Sequence, residues 1–178
     1  MSTCIDNPRF ANVVKQLSTL LPSHNYAFVG GAVRDYVFGR EPKDHDVVVR
    51  GMSPQDVVSR LQFSTLPYLC FDNYEGDRPD LCGERRIAFD SMWKACIKLS
   101  LPNGEYVDLL FPQLAGASVA DVVELFDSNL NMYSAYPDGS VQEHWDTDPR
   151  ERLELAPNIR AERARYMLDK WLEYLDIQ

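Results

Sequence analysis

The residues best suited to chemistry lie in one stretch, Phe28-Val-Gly-Gly-Ala-Val-Arg-Asp-Tyr-Val-Phe-Gly-Arg-Glu-Pro-Lys-Asp-His-Asp-Val-Val-Val49. Asp44 and Asp46 stand two apart, so on an extended chain both carboxylates project to one face. Two carboxylates on one face are a common means of holding Mg²⁺ against phosphate oxygens. Ahead of them, Gly30-Gly31 follows the apolar run Tyr26 to Val29 and leads into Ala32 to Phe38, a helical stretch stopped by Gly39. Lacking a Cβ, adjacent glycines let backbone N–H groups approach an anion closely, and a helix start favours negative charge. Each piece has a use if the ligand is a nucleoside triphosphate. Taken singly, a glycine pair is more often a turn, and Asp-x-Asp is more often a solvated strand end.

Taken together the pieces are more specific. Gly-Gly-Ala-Val-Arg-Asp from Gly30 to Asp35, then Gly39, then Asp44-x-Asp46 before an apolar strand, resembles the signature of the tRNA nucleotidyltransferase and poly(A) polymerase family. That family lies within the DNA polymerase beta-like nucleotidyltransferase superfamily, and the likeness is to the head domain of class II CCA-adding enzymes. The resemblance implies an α+β fold, with a mixed, mostly antiparallel sheet flanked by helices and a short C-terminal helical neck. It also implies a catalytic head over 1–150 and a neck stub over 151–178, with a soft boundary near Pro149 to Pro157.

The chemistry implied is transfer of a nucleotide from ATP and/or CTP to an RNA 3′ hydroxyl of tRNA type, releasing pyrophosphate. Two Mg²⁺ ions about 3.5–4 Å apart would stabilise the attacking and leaving oxygens. On this resemblance Asp44 and Asp46 bridge both ions, and Gly30 and Gly31 cradle the β- and γ-phosphates. Arg34 adds a charge-assisted contact, Asp35 braces the site, and Lys43 touches phosphate or balances charge.

Other elements must position these groups. Asn7-Pro8 opens a helix with an Asn cap and Pro at the first helical position. Its apolar face is Phe10, Val13, Val14, Leu17, Leu20 and Leu21, ended by Pro22. Ser53-Pro54 starts a second helix to about Gln62, Leu66 to Phe71 reads as a strand, and Asp72 to Glu84 reads as a mobile loop. Arg85 and Arg86 follow, either at a solvated strand end or on a loop closing over a triphosphate. Met92 to Leu101 and Glu105 to Phe111 flank Pro102-Asn103-Gly104, a strong hairpin signal.

In the second strand of that hairpin, Tyr106, Asp108 and Leu110 share a face. Asp108 is costly to bury unpaired. It stands either on a face open to water or opposite Asp44 and Asp46. The family carries its third carboxylate on such a strand, which favours Asp108 as a metal ligand for the ion that activates the acceptor.

Ser118 and Asp121 form a capping-box pattern that opens a helix to about Phe126. The segment that follows resembles the family's Arg-Arg-Asp-Phe-Thr-Ile-Asn-Ala, which places Asp127 and Asn131 at positions that order sugar and phosphate. Glu124 and Leu125 or Phe126 stand where the family has its arginine pair. The tail, Asn158 to about Asp176, reads as a helix with an apolar stripe of Ile159, Ala164, Leu168, Trp171, Leu172 and Leu175. Arg160 and Arg163 resemble the Arg-x-x-Arg spacing of the family neck, whose Asp and Arg read the base edge. Ala156-Pro157 replaces the family's Glu-Asp pair.

Composition bounds the rest. A 178-residue chain, 45% apolar and 25% charged, suits one domain with a real core or one domain plus an appendage. No run is long enough to cross a bilayer and no signal peptide is evident, so the expected compartment is the cytoplasm. Cys4, Cys70, Cys82 and Cys96 make no Cys-x-x-Cys pair and read as buried thiols rather than zinc ligands.

A net charge of −9 is a poor general match for nucleic acid. It leaves two alternatives open beside RNA: transfer of a nucleotide to a small-molecule or protein hydroxyl, and a nucleotide-binding pseudoenzyme. The family's helical body and tail, which grip tRNA, have no counterpart before Gln178, and the oligomeric state is open.

Overall fold

Asn7 caps the first helix as its sequence requires. Its side chain accepts from the backbone N–H groups of Arg9 (2.8 Å) and Phe10 (3.3 Å), with Pro8 at the first helical position. The structure, a computed structural model, describes residues 3–66, 68–73 and 92–176. Within them the order is α1 (Pro8–Leu17), β1 (Tyr26–Val29), α2 (Gly31–Val37), β2 (His45–Val49), α3 (Pro54–Leu61) and β3 (Tyr68–Asn73). β4 (Trp93–Ser100), β5 (Tyr106–Pro112), α4 (Val119–Val123), β6 (Tyr133–Ala135), β7 (Val141–Glu143) and α5 (Ala161–Leu175) follow. α1 ends at Leu17, five residues before Pro22, because Leu20 and Leu21 turn inward and are buried. Ser53 with Asp56, and Ser118 with Asp121, each close a reciprocal capping box at the start of α3 and α4.

The strands form one sheet in the order β3-β4-β5-β2-β1-β6-β7. Every pairing is antiparallel except the central one, β2 with β5. The sequence-derived expectation of an α+β, mixed and mostly antiparallel sheet flanked by helices is therefore met.

Strand alternation sorts the side chains into two layers. Phe28, Val47, Val49, Ile97, Leu99, Val107, Leu109 and Phe111 meet Phe10, Val13 and Leu17 of α1 and Val57 and Leu61 of α3. On the opposite face Ala27, Val29, Val48, Cys96 and Leu110 meet Val119, Val122 and Val123 of α4. Each such fully buried side chain contributes about 1.5–3 kcal/mol, against about 1 kcal/mol for a cap, so the two layers set where the helices lie. The short α4 covers only part of its face. Asp46, Asp108 and Lys98 share that face by alternation and are not covered by it.

α5 departs from the stripe expected of it. Met167 and Tyr174 are its buried residues, packed with Leu130 and supported by Phe38, Ile159 and Trp171. Leu168 and Leu172 are 44% and 48% exposed. The rest of the fold takes the row whose tyrosine hydroxyl meets polar partners, not the row richest in leucine. Cys4 also departs from expectation: it is exposed, whereas Cys96 is buried. Cys82, Arg85 and Arg86 and most of the loop expected over Asp72 to Glu84 lie outside the described residues. Among the described residues no helix is long and apolar enough to cross a membrane.

His144 supplies a pH test of the β6–β7 edge. Its Nε2 lies 2.8 Å from the Ser134 hydroxyl, and burial lowers its pKa below the ordinary 6.5. A histidine whose folded pKa is depressed favours the folded state while neutral. Its stabilisation is complete above the unfolded pKa and is lost as pH falls through that value toward the folded one. The unfolding midpoint of the wild-type protein should drop more steeply between about pH 7 and about pH 5 than that of His144→Gln. Parallel pH profiles would exclude His144 as a contributor.

Candidate active site

Two acids from distant parts of the chain are neighbours at the sheet centre. In the parallel β2–β5 ladder Asp46 stands in register with Asp108. Residues paired across a ladder project to the same face, so the two carboxylates lie side by side. Asp46 is half-buried, and its pKa is pushed up to about 7 by burial first and then by the charges of Asp108 and Asp44. Lys98 and Arg163 pull it the other way. Asp44 is exposed and immediately precedes β2.

Lys98 is the member of this group that the sequence reading missed. It pairs with Asp108 across β4 and β5, and its Nζ lies 2.5 Å from Asp108 Oδ2. The signal was available. Once Pro102-Asn103-Gly104 is read as the hairpin turn, counting back from Ser100↔Tyr106 brings Lys98 opposite Asp108. Asp46, Asp108 and Lys98 thus make a row across three adjacent strands.

The two glycines serve different needs. Gly30 has φ 73° and ψ −139°, which an L side chain adopts only under strain. It follows directly after Val29, the β1 partner of Asp46. A Cβ at Gly30 would lie 3.4 Å from Phe126 Cε2 and 4.0 Å from Asp46 Oδ2, so this turn borders the carboxylates directly. A Cβ at Gly31 would instead meet the Arg34 guanidinium at 3.3 Å.

That guanidinium is buried in a network joining α2 to α5. Arg34 donates from Nε to Asp35 (2.9 Å) and to the Tyr174 hydroxyl (3.0 Å), and from Nη1 to Asn131 Oδ1 (2.6 Å). Tyr174 also donates to Asp35. Asn131 Nδ2 donates to Asp127 Oδ1 at 2.9 Å, and Arg163 pairs with the other oxygen of Asp127. The residues expected near the nucleotide from three separate segments, Arg34, Asp127 with Asn131, and Arg163, therefore form one connected chain. Arg34 sits at its closed end, only 7% exposed in its side chain, while Arg163 is about half exposed and is felt electrostatically at Asp46. Arg160 precedes α5 and takes no part in these contacts. Tyr174 and Met167, which donates nothing but accepts from Asn131 at 3.5 Å, were not foreseen.

On the other face, Arg9 steadies the approach to β2. It donates to Glu105 (2.7 Å from Nη2), to Glu41 (3.2 Å) and to the Pro42 carbonyl (2.7 Å). His45, fully buried and with its pKa lowered by that burial, lies 2.9 Å from the Tyr36 hydroxyl. The segment that delivers Asp44 and Asp46 is thus tied on the reverse side of the sheet.

All-oxygen donors of this kind suit Mg²⁺. The adjacent Asp46 and Asp108 fit such an ion by proximity and by the repulsion that burial leaves between them. Among the described residues no three metal-ligating side chains are gathered closely enough to form a finished cage. With Asp44 exposed and Asp108 bound to Lys98, the fit is to a pair of ligands with a third acid at the strand's entrance.

Residues 26–73 match the family model of the poly A polymerase head domain. The match takes in the glycine turn and Asp44 with Asp46 and stops short of Asp108. Among solved structures the fold is similar to a CCA-adding enzyme in complex with ATP (17% identity, TM-score 0.55), covering 78% of this chain and 30% of that one. It is also similar to the Thermotoga maritima CCA-adding enzyme complexed with tRNA-CCA (17%, TM-score 0.53, 78% and 30%). A CCA-adding enzyme in complex with CTP gives 17%, TM-score 0.51, and 78% and 31%. The chain thus spans less than a third of the length of these proteins. Among curated proteins none matches it by sequence.

Proposed function

We propose that this chain, whose residues 26–73 match the poly A polymerase head-domain model and whose fold is similar to that of CCA-adding enzymes, is a metal-dependent nucleotidyltransferase. It transfers a nucleotide from ATP and/or CTP to the 3′ hydroxyl of a tRNA-like RNA and releases pyrophosphate. The observation that carries this reading is the register of Asp46 with Asp108 beside the Gly30 turn. We take 1–150 as the catalytic head and 151–178 as its neck.

Asp44, Asp46 and Asp108 would hold Mg²⁺, which when bound supplies Lewis-acid stabilisation of the phosphoryl oxygens and lowers the pKa of the acceptor hydroxyl. The chain's own residues do the positioning. The Gly30–Gly31 turn admits the phosphates beside the acids, where a side chain would block them. Asp127, held by Asn131 and Arg163, presents its carboxylate toward the sugar, and Arg163 moves between Asp127 and the triphosphate. Arg34 acts on the nucleotide through Asn131 and Asp127, because its own donors are engaged inside.

The net charge of −9 favours a second reading, transfer to a small-molecule or protein hydroxyl. The test incubates the protein with each labelled nucleoside triphosphate and Mg²⁺, together with tRNA lacking its 3′ end, total RNA or a cell extract. Label on the truncated tRNA is the expected outcome. Label on protein or metabolite alone supports the second reading. Triphosphate binding without transfer to any acceptor reduces the protein to a nucleotide-binding pseudoenzyme.

A further inference from the structure

A lysine cannot ligate a divalent cation, yet Lys98 stands beside two of the acids proposed to hold one. It lies in register with Asp108, which lies in register with Asp46, and its ammonium is 2.5 Å from Asp108 Oδ2. Its side chain is 42% exposed and that of Asp108 28%. An ordinary exposed bridge of this kind contributes little to stability. What distinguishes this one is its partner, a carboxylate beside a second, half-buried carboxylate on which Lys98 also acts electrostatically.

Resting on the metal-dependent reading above, we infer that Lys98 is a resident counterion that competes with the divalent cation for Asp108. In the metal-free protein its ammonium offsets the repulsion among Asp44, Asp46 and Asp108, which lets the β2–β5 pairing bring the acids together. A cation at Asp108 and an ammonium on the same oxygen repel each other, so one must give way. Lysine can do so. Its charge rides on a flexible four-carbon stem, without the fixed fork by which arginine grips a carboxylate, and its exposure leaves room to swing toward solvent. Lys98 thereby sets the cation concentration at which the site fills.

The test measures Mn²⁺ binding in the absence of nucleotide, by calorimetry and by the electron paramagnetic resonance signal of the free ion. Wild type, Lys98→Met and Lys98→Arg are compared. Loss of one positive charge in contact with a ligand carboxylate should tighten Mn²⁺ binding by roughly tenfold or more in Lys98→Met. Lys98→Arg, which keeps the charge, should bind no more tightly than wild type. Should Lys98→Met fail to fold, Lys98→Gln must show the same tightening.

Binding that is unchanged or weaker in the neutral variants overturns the counterion role and leaves the metal site standing. Absence of Mn²⁺ binding in all the proteins overturns the metal reading, and the counterion role with it. A lysine that merely supports the sheet would change unfolding temperature without tightening the cation.

Discussion

Asp46→Asn is expected to lower nucleotidyl transfer by roughly 10³-fold or more while leaving the metal-free protein as stable as wild type or more stable. The kinetic figure follows from the several kcal/mol that a bound cation supplies to a phosphoryl transition state, at tenfold for each 1.36 kcal/mol. The stability half follows from the site's electrostatics. The folded pKa of Asp46 is raised to about 7 from the ordinary 3.8, by burial and by Asp108 and Asp44. A carboxyl group shifted upward favours the folded state while protonated, and that advantage disappears as pH rises from the unfolded pKa through the folded one. Near neutrality the charged group therefore opposes folding, and asparagine relieves it. Transfer rates with labelled triphosphates and thermal unfolding in chelator give the two numbers. A variant retaining more than about a tenth of the wild-type rate would remove Asp46 from the metal assignment.

The second large effect belongs to Arg34. Replacing it with alanine should cost about 3–5 kcal/mol in denaturant unfolding, the range for breaking a buried charged network by deleting one member. Its guanidinium serves Asp35, Tyr174 and Asn131 at once, and a lysine cannot reproduce that fork. Arg34→Lys should therefore recover only part of the loss. The measurement separates two roles for this residue. A variant with wild-type stability but much weaker triphosphate binding would make Arg34 a direct phosphate contact and deny it the role of tying α2 to α5.

The difference between these residues also explains how far the site could be read in advance. Gly30, Gly31, Asp44 and Asp46 were legible because their signals are local: a turn, a helix start and a two-residue alternation. Asp108 needed one more step, the hairpin around Gly104 and the faces it imposes, and that step gave the correct side of the strand. Lys98 required the same step taken backward along β4.

The network around Arg34 was hidden for a different reason. Its partner Tyr174 lies 140 positions away, and nothing in either neighbourhood signals the other. A buried arginine and a phosphate-binding arginine have the same local sequence. The α5 stripe held only in part, with Ile159 and Trp171 packed inward, since helical spacing identifies rows without saying which one the rest of the fold accepts. Met167 and Tyr174 won over Leu168 and Leu172 because Tyr174 could satisfy Asp35 and Arg34 on arrival. Polar partnership outweighed the additional apolar area.

The single parallel pairing in the sheet has a consequence for how the site comes into being. β4 and β5 meet across a short turn, whereas β2 and β5 are joined only through everything between them in sequence. Closing that long loop is the slow, entropically costly event in such a topology. The acids consequently remain strangers in the nascent chain, and each half can acquire its local order without confronting the other's charge. The repulsion between Asp46 and Asp108 therefore belongs to the assembled sheet and to neither local segment, whereas that between Asp44 and Asp46 is present in the chain from the start.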